Sequence, residues 1–238
     1  MSSQEAAKRA AAYFAVEHYV KPNCRLGMGT GSTAAFVLKR VTQLWNEGKL
    51  PGLKVVPTSL GTEWAARQAG LPVTTLDDPT IQGELDLTLD GADVIAPDLS
   101  LIKGGGGALL TEKIIARASH SLIIVADETK LQPSLGTGFP LPLEVLPQAQ
   151  ALVLRLLREL GAQAEIRQGG GKAGPVITDS GHILIDVTFS QPVNPAEMEW
   201  ELDKIPGVIE SGLFVGLVNE AVIGYVDGSV RVLKKNGG

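Results

Sequence analysis

Between Asp90 and Lys113 the chain reads DGADVIAPDLSLIKGGGGALLTEK, which gathers Asp90, Asp93, Lys103, four successive glycines and Glu112 into one short segment. These residue types suit acid–base chemistry on a carbon acid. A carboxylate such as Glu112 can carry a proton between neighbouring carbons, and a lysine with backbone N–H groups can receive the negative oxygen that forms meanwhile. Gly104, Gly105 and Gly106 have no side chain to pack and lose much backbone entropy on ordering, so they suit a backbone that comes close to an anion. Each group also has a plainer use. D-G-A-D fits an Asx turn, a glycine run fits a surface loop, and a glutamate in a first helical turn is stabilised by the helix dipole. Their concentration in one segment points to a site. Facing Lys103 across the loop, one of Asp90 and Asp93 can bind sugar hydroxyls while the other holds the lysine, and the spacing leaves both assignments open.

A second segment, LGMGTGSTAAF, places Gly27, Gly29 and Gly31 between a strand pattern and a helix pattern, with Ser32 and Thr33 where an N-cap falls. The spacing is G-x-G-x-G rather than the dinucleotide G-x-G-x-x-G, and no P-loop lysine follows. A phosphate seat made of N–H groups and the hydroxyls of Thr30, Ser32 and Thr33 fits this better than a cofactor fingerprint, although a tight turn capping a helix has the same glycines. His18, His120 and His182 are scattered, with no partner spacing, and read as structural or surface residues. There is no H-x-x-x-H, C-x-x-C or G-x-S-x-G. The chemistry indicated is acid–base catalysis on a small phosphorylated substrate, without metal or other cofactor.

The elements that would position these groups alternate. Helix patterns cover about residues 3–20, 61–70 and 111–119; strand patterns cover 24–27, 53–57, 71–76, 85–89 and 121–126, the last with the continuous apolar character of a central parallel strand. That alternation predicts a doubly wound, Rossmann-like parallel sheet, with the loops at Gly27, Asp90 and Asp127 on its carboxyl edge. The segment 136–147, GTGFPLPLEVLP, reads as a crossing between domains. Helices at 148–160 and 195–205 and strands at 163–167, 176–178, 182–188 and 208–212 then predict a small antiparallel sheet backed by two helices. The tail AVIGYVDGSVRVL reads as a strand pair around a D-G turn that returns to the first domain. The expected division is 1–137 with 215–238 as the Rossmann-like catalytic domain, and 138–214 as a smaller α+β, ferredoxin-like domain.

Composition is that of an ordinary globular protein of 238 residues, 44% apolar and 20% charged. A net charge of −5 without a basic block argues against nucleic acid as a partner. No apolar run is long enough to cross a bilayer, and the first helix lacks a signal peptide's features, so a cytoplasmic protein is expected. The single cysteine, Cys24, reads as a small buried apolar residue.

Taken together, GMGTGSTA at 27–34, DGAD at 90–93, KGGGGAL at 103–109, TEKII at 111–115 and ADETK at 126–130 resemble type A ribose-5-phosphate isomerase, and FPLPLEVLP and IPGVIESGLF extend the likeness over nearly the whole chain. The resemblance implies an aldose–ketose isomerase of the non-oxidative pentose phosphate pathway, using neither metal nor nucleotide. By matching positions, Glu112 is implied as the proton acceptor between C2 and C1. Thr30, Gly31, Ser32 and Thr33 are implied as the substrate-binding loop and Lys130 as a phosphate ligand. Asp90, Gly91, Ala92 and Asp93 are implied to bind the sugar and assist ring opening, while Lys103 and the amides of Gly104, Gly105 and Gly106 stabilise the enediolate. A homodimer or homotetramer is implied, with the small domain as the assembly surface. The family's usual D-G-A-D-E departs here to Val94, and the basic residue that assists the phosphate from the first helix is either Lys8 or Arg9.

Three other functions fit less well. An amino-sugar deaminase would bring a histidine near its acids, and none lies near Glu112 in sequence. A sugar-phosphate sensor domain would carry a basic DNA-binding segment, and a dehydrogenase would carry G-x-G-x-x-G.

Overall fold

The computed structural model describes residues 2–171 and 173–235. In chain order the elements are α1 (Ser3–Tyr19), β1 (Arg25–Met28), α2 (Ala34–Asn46), β2 (Lys54–Pro57), α3 (Leu60–Gln68), β3 (Leu87–Asp90), β4 (Val94–Ile95), β5 (Leu101–Ile102) and α4 (Leu109–Arg117). There follow β6 (Leu122–Asp127), β7 (Leu141–Val145), α5 (Gln150–Glu159), β8 (Gln163–Ile166), β9 (Ile183–Thr188), α6 (Pro195–Asp203), β10 (Val208–Ser211), β11 (Leu213–Phe214), β12 (Glu220–Gly224) and β13 (Val230–Lys234). They form two compact units. The first takes the chain up to Ala92, then 111–130 and from Leu217 onward; the second takes 93–110 and 131–216.

The first unit is built on a six-stranded sheet of order β13-β12-β6-β3-β1-β2. All neighbours are parallel except the edge strand β13, which returns antiparallel to β12 after the turn at Asp227-Gly228. Strand β1 shows how the two faces are filled. Leu26 and Met28 point into a core shared with Ala11, Val16, Val37 and Val41 of α1 and α2, whereas a Cβ at Gly27 would meet Ile115 of α4 on the other face. Helix α1 starts at a complete capping box between Ser2 and Glu5, and its buried face is Ala7, Ala11, Ala12, Ala15 and Val16. Those small side chains let it settle close to the sheet: a Cβ at Gly224 would lie 2.0 Å from the Ala7 carbonyl oxygen.

The second unit holds a four-stranded antiparallel sheet of order β10-β7-β9-β8 and a short three-stranded sheet of order β11-β5-β4. The β-α-β-β-α-β succession from β7 to β10 with that strand order is ferredoxin-like. Leu141, Leu143 and Val145 of β7 and Ile183, Ile185 and Val187 of β9 share one core with Val153 and Leu157 of α5 and Leu202 of α6. Leu157 is wholly buried, and truncation to Ala there would cost about 2–5 kcal/mol.

The architecture is the one expected, with four differences in detail. The segment 136–147 is not merely a crossing, since it contains β7, which pairs on both sides. Pro142 hid it: a proline removes a ladder donor, but here its carbonyl accepts from Gly212, just beyond β10, where regular pairing ends. Residues 71–76 form only the single bridge Val55↔Val73, and 176–178 only the bridge Ile177↔Ile183, so neither is a strand. Residues 93–110 group with the second unit, because β4 pairs with β5 and β5 with β11 rather than with the parallel sheet.

Candidate active site

The parallel sheet changes winding direction between β1 and β3, since the chain steps from β1 outward to β2 and then returns to the other side of β1. Loops leaving the carboxyl ends of these strands border the crevice in which open α/β sheets bind ligands. After β1 come residues 29–33; β3 ends on Asp90 and is followed by Gly91 and Ala92; the neighbouring β6 ends on Asp127 and is followed by residues 128–130.

Asp90 ties the first two loops together. It is 1% exposed, and its Oδ1 accepts the N–H of Gly91 at 2.7 Å and the N–H of Thr30 at 3.2 Å. A Cβ at Gly29 would stand 2.1 Å from that same oxygen, so glycine is required there for close approach. Gly31, in contrast, is required for conformation, with φ +106 and open space where a Cβ would go. The Thr30 hydroxyl lies 2.8 Å from Thr58 Oγ1, 2.8 Å from Ser59 Oγ and 3.0 Å from Thr62 Oγ1. This hydroxyl cluster forms one wall of a cavity of about 260 Å³ lined by Gly29, Thr30, Gly31, Ala35, Thr62 and Ala65. Thr33 takes the N-cap position of α2, yet its side chain makes no capping bond.

Exposed Ser32 meets the first helix. Lys8 Nζ donates to Ser32 Oγ at 3.1 Å and lies 3.9 Å from Asp127 Oδ2, whereas Arg9 stacks on the Tyr13 ring at 5.8 Å. Lys8 is therefore the basic residue of α1 that reaches the loop. Asp127 is 1% exposed and is anchored by the Thr129 hydroxyl and N–H and by the Gln4 amide. Burial alone would raise its pKa, but the Thr129 and Gln4 hydrogen bonds and the charge of Lys8 outweigh this and hold it below the usual carboxylate range. Lys130, half-buried, closes the short helical turn after Asp127. Glu112 sits in the first turn of α4 and is 5% exposed.

The other predicted residues belong to the second unit. Asp93 donates its N–H to the Ile102 carbonyl at 2.9 Å, and its Oδ2 accepts the Gly105 N–H at 2.7 Å. Lys103 is 2% exposed, its N–H bonded to the Gly212 carbonyl at 2.9 Å and its Nζ 5.5 Å from the Phe214 ring centre. Gly104 has φ +103, and a Cβ on it would meet Leu109 at 2.8 Å. Within the first unit, then, Asp90 is bonded to Thr30 and Gly91 while Ser32 is bonded to Lys8, and within the second Asp93 is bonded to the glycine turn. Val94 is buried among Ile102, Leu141 and Leu213, which accounts for an apolar residue at that position. Thr58, Ser59, Thr62 and Gln4 were not singled out from sequence; Thr58 and Ser59, falling just after β2 on the carboxyl edge, carried the one available signal.

Loops of this build at the switch point of a doubly wound sheet define an α/β enzyme of the kind that binds a small molecule there. The model of the ribose 5-phosphate isomerase A (phosphoriboisomerase A) family matches residues 54–228. The chain is 41% identical to ribose-5-phosphate isomerase A of Trichodesmium erythraeum (strain IMS101) over 215 residues, 90% of each protein, and 43% identical to that of Synechocystis sp. over 214 residues. Among solved structures, the ribose 5-phosphate isomerase of Plasmodium falciparum superposes with a TM-score of 0.92 at 37% identity, covering 98% of this chain and 100% of that one. A D-ribose-5-phosphate isomerase in complex with phospho-erythronic acid superposes with a TM-score of 0.93, also at 37% identity, covering 98% and 100%. This chain belongs to the ribose 5-phosphate isomerase A family and is an isomerase.

Proposed function

We propose that the protein interconverts D-ribose 5-phosphate and D-ribulose 5-phosphate by proton transfer through a cis-enediolate, using neither metal nor nucleotide. The observation that carries this is the buried carboxylate of Glu112 in the first turn of α4, directly after the glycine turn, in a chain of this family. Glu112 takes the proton from C2 of the open-chain aldose and returns it to C1, while the carbonyl oxygen at C1 becomes a hydroxyl and the hydroxyl at C2 becomes the carbonyl. Lys103 and the amides of Gly104, Gly105 and Gly106 stabilise the negative oxygen of the intermediate. Gly105 already donates to Asp93, so the Gly106 N–H is the principal backbone donor.

The phosphate is received by Gly31, Ser32 and Thr33, with Thr30 shaping the loop and Lys8 and Lys130 supplying positive charge. Asp90, Gly91, Ala92 and Asp93 bind the sugar hydroxyls and assist ring opening. The reaction belongs to the non-oxidative pentose phosphate pathway in the cytoplasm. Homo-oligomers form through the second unit, a role supported by the exposed Leu146, Ile177, Trp200 and Ile209.

The test is ketose formation from ribose 5-phosphate with excess chelator, beside glucosamine 6-phosphate as a control, in the wild type and in Glu112→Gln. Conversion of the pentose alone, lost in the variant while substrate still binds, is the expected result. Full turnover by Glu112→Gln would remove that residue from its role, and absence of pentose turnover in the wild type would refute the function.

A further inference from the structure

Arg167, just past the end of β8, reaches back to the glycine turn. Its Nη1 donates to the Gly104 carbonyl at 2.9 Å and to the Gly105 carbonyl at 3.2 Å. The rest of the guanidinium is held in a two-pronged pair by Asp186 of β9, with Nε to Oδ2 at 2.8 Å and Nη2 to Oδ1. The backbone of Arg167 is fixed as well, its N–H donating to the Leu184 carbonyl at 2.9 Å and its carbonyl accepting from Val176 at 2.9 Å. Every one of these groups lies in the second unit.

Peptide planarity turns this clamp into a statement about the N–H groups. The carbonyl of one residue and the N–H of the next point in opposite directions across a trans peptide. Holding the Gly104 carbonyl therefore aims the Gly105 N–H away from Arg167, where Asp93 accepts it at 2.7 Å. Holding the Gly105 carbonyl aims the Gly106 N–H the same way. Glycine peptides rotate more freely than any others, so a run of four would otherwise sample many orientations. The turn needs an external group to select one, and a planar, permanently charged guanidinium, whose Nε and Nη2 are fixed by Asp186 while Nη1 faces both carbonyls, holds a direction that a lysine would not.

We infer that Arg167, braced by Asp186, is a positioning residue of the isomerase: it presets the amides of the glycine turn, the Gly106 N–H above all, to receive the enediolate oxygen. This rests on the function proposed above. Arg167 acts through the turn and touches neither substrate nor reacting atoms. Since removal of one direct oxyanion donor costs about 10²–10³ in kcat, loss of a group that only aims such a donor is expected to cost somewhat less, about 10- to 100-fold.

The experiment compares the wild type with Arg167→Gln and Arg167→Lys, reading kcat and KM for ribose 5-phosphate, the affinity for 4-phosphoerythronate and the affinity for inorganic phosphate. The planar, charged carboxylate of 4-phosphoerythronate imitates the enediolate, whereas inorganic phosphate reports only the anion seat. Expected are a fall in kcat and an equal fall in 4-phosphoerythronate affinity, with KM and phosphate affinity near wild type. Millimolar guanidinium should partly restore kcat in Arg167→Ala, an effect that a merely structural role would not produce. Wild-type kcat in either folded variant, or a fall in kcat without a matching loss of 4-phosphoerythronate affinity, overturns the inference. Should Arg167→Gln fail to fold, Arg167→Lys gives the same comparison, because it keeps the ion pair with Asp186 but not the fork. A wild type that isomerises the pentose while Arg167→Gln keeps full kcat defeats this inference alone; a wild type that does not isomerise it defeats the proposed function.

Discussion

Lys8 Nζ lies 3.1 Å from Ser32 Oγ, so a charge carried by the first helix is delivered to the loop that follows the first strand. Arg9, its neighbour in sequence, faces Tyr13 instead. Replacing Lys8 with Met is expected to raise KM for ribose 5-phosphate by about 10- to 100-fold, the value of one charge-assisted hydrogen bond, with a smaller effect on kcat. Arg9→Met should leave both constants near wild type. Steady-state kinetics on the two variants settles the matter.

Gly29→Ala places a methyl group 2.1 Å from Asp90 Oδ1, a contact that only a backbone shift can relieve. Because the same oxygen holds the Thr30 N–H, the shift passes into the loop proposed to seat the phosphate. The variant should lose about 1–3 kcal/mol, the usual cost of overpacking, and should bind inorganic phosphate more weakly. Calorimetry and phosphate titration measure the two effects. Gly31→Ala differs, since strain at φ +106 rather than collision is at stake, and a loss of about 1–3 kcal/mol is expected without any displacement of Asp90.

Asp127 sets an acid limit on stability. Its pKa is depressed in the fold, so the unfolded chain takes up the proton first as pH falls, and the contribution present at neutral pH disappears as pH drops below about 4. In Asp127→Asn the fall in unfolding free energy between neutral pH and pH 3 should be shallower than in the wild type, as read by urea titration at a series of pH values.

At the alkaline end the sign reverses. Burial, helped by the charge of Asp86, pushes the Cys24 thiol up to about 11, and burial together with the Glu220 carboxylate pushes the Tyr19 phenol up to about 12. Above the ordinary thiol pKa of about 8.5 the unfolded chain loses protons that the folded one keeps, so stability declines as pH rises toward these values. Cys24→Ala should flatten the decline between about pH 8.5 and 11, and Tyr19→Phe that between about pH 10 and 12. In the wild type at pH 8, Cys24 should react with a thiol reagent far more slowly than in the denatured chain.

The doubly wound sheet was legible because its signals are local: continuous apolar runs such as Leu122–Asp127, glycines closing helices, and carboxylates at strand ends. Most residues proposed for the site were legible for a related reason, since Asp90 and Lys103 sit beside glycines and Glu112 is a carboxylate in the first turn of a helix. What escaped depends on distant pairing. LPLEV reads as a linker because Pro142 contradicts a strand, and only the partners at 183–187 and 208–211 reveal it. Arg167 lies 62 residues from Gly105, in a strand pattern with no chemistry nearby in sequence, so nothing local marks it. Thr62 likewise looks like any helix residue until the fold brings it to Thr30.

The order of strands also has a consequence for how the molecule comes into being. Strand β12, which lies against β6 inside the parallel sheet, is encoded after the entire second unit. During synthesis the first unit therefore waits with β6 as an open flank, a run of six buried apolar and acidic residues (LIIVAD) that would template pairing with another chain. Completion of the first unit thus awaits β12, and a chain truncated before Glu220 is expected to aggregate rather than to give a smaller enzyme.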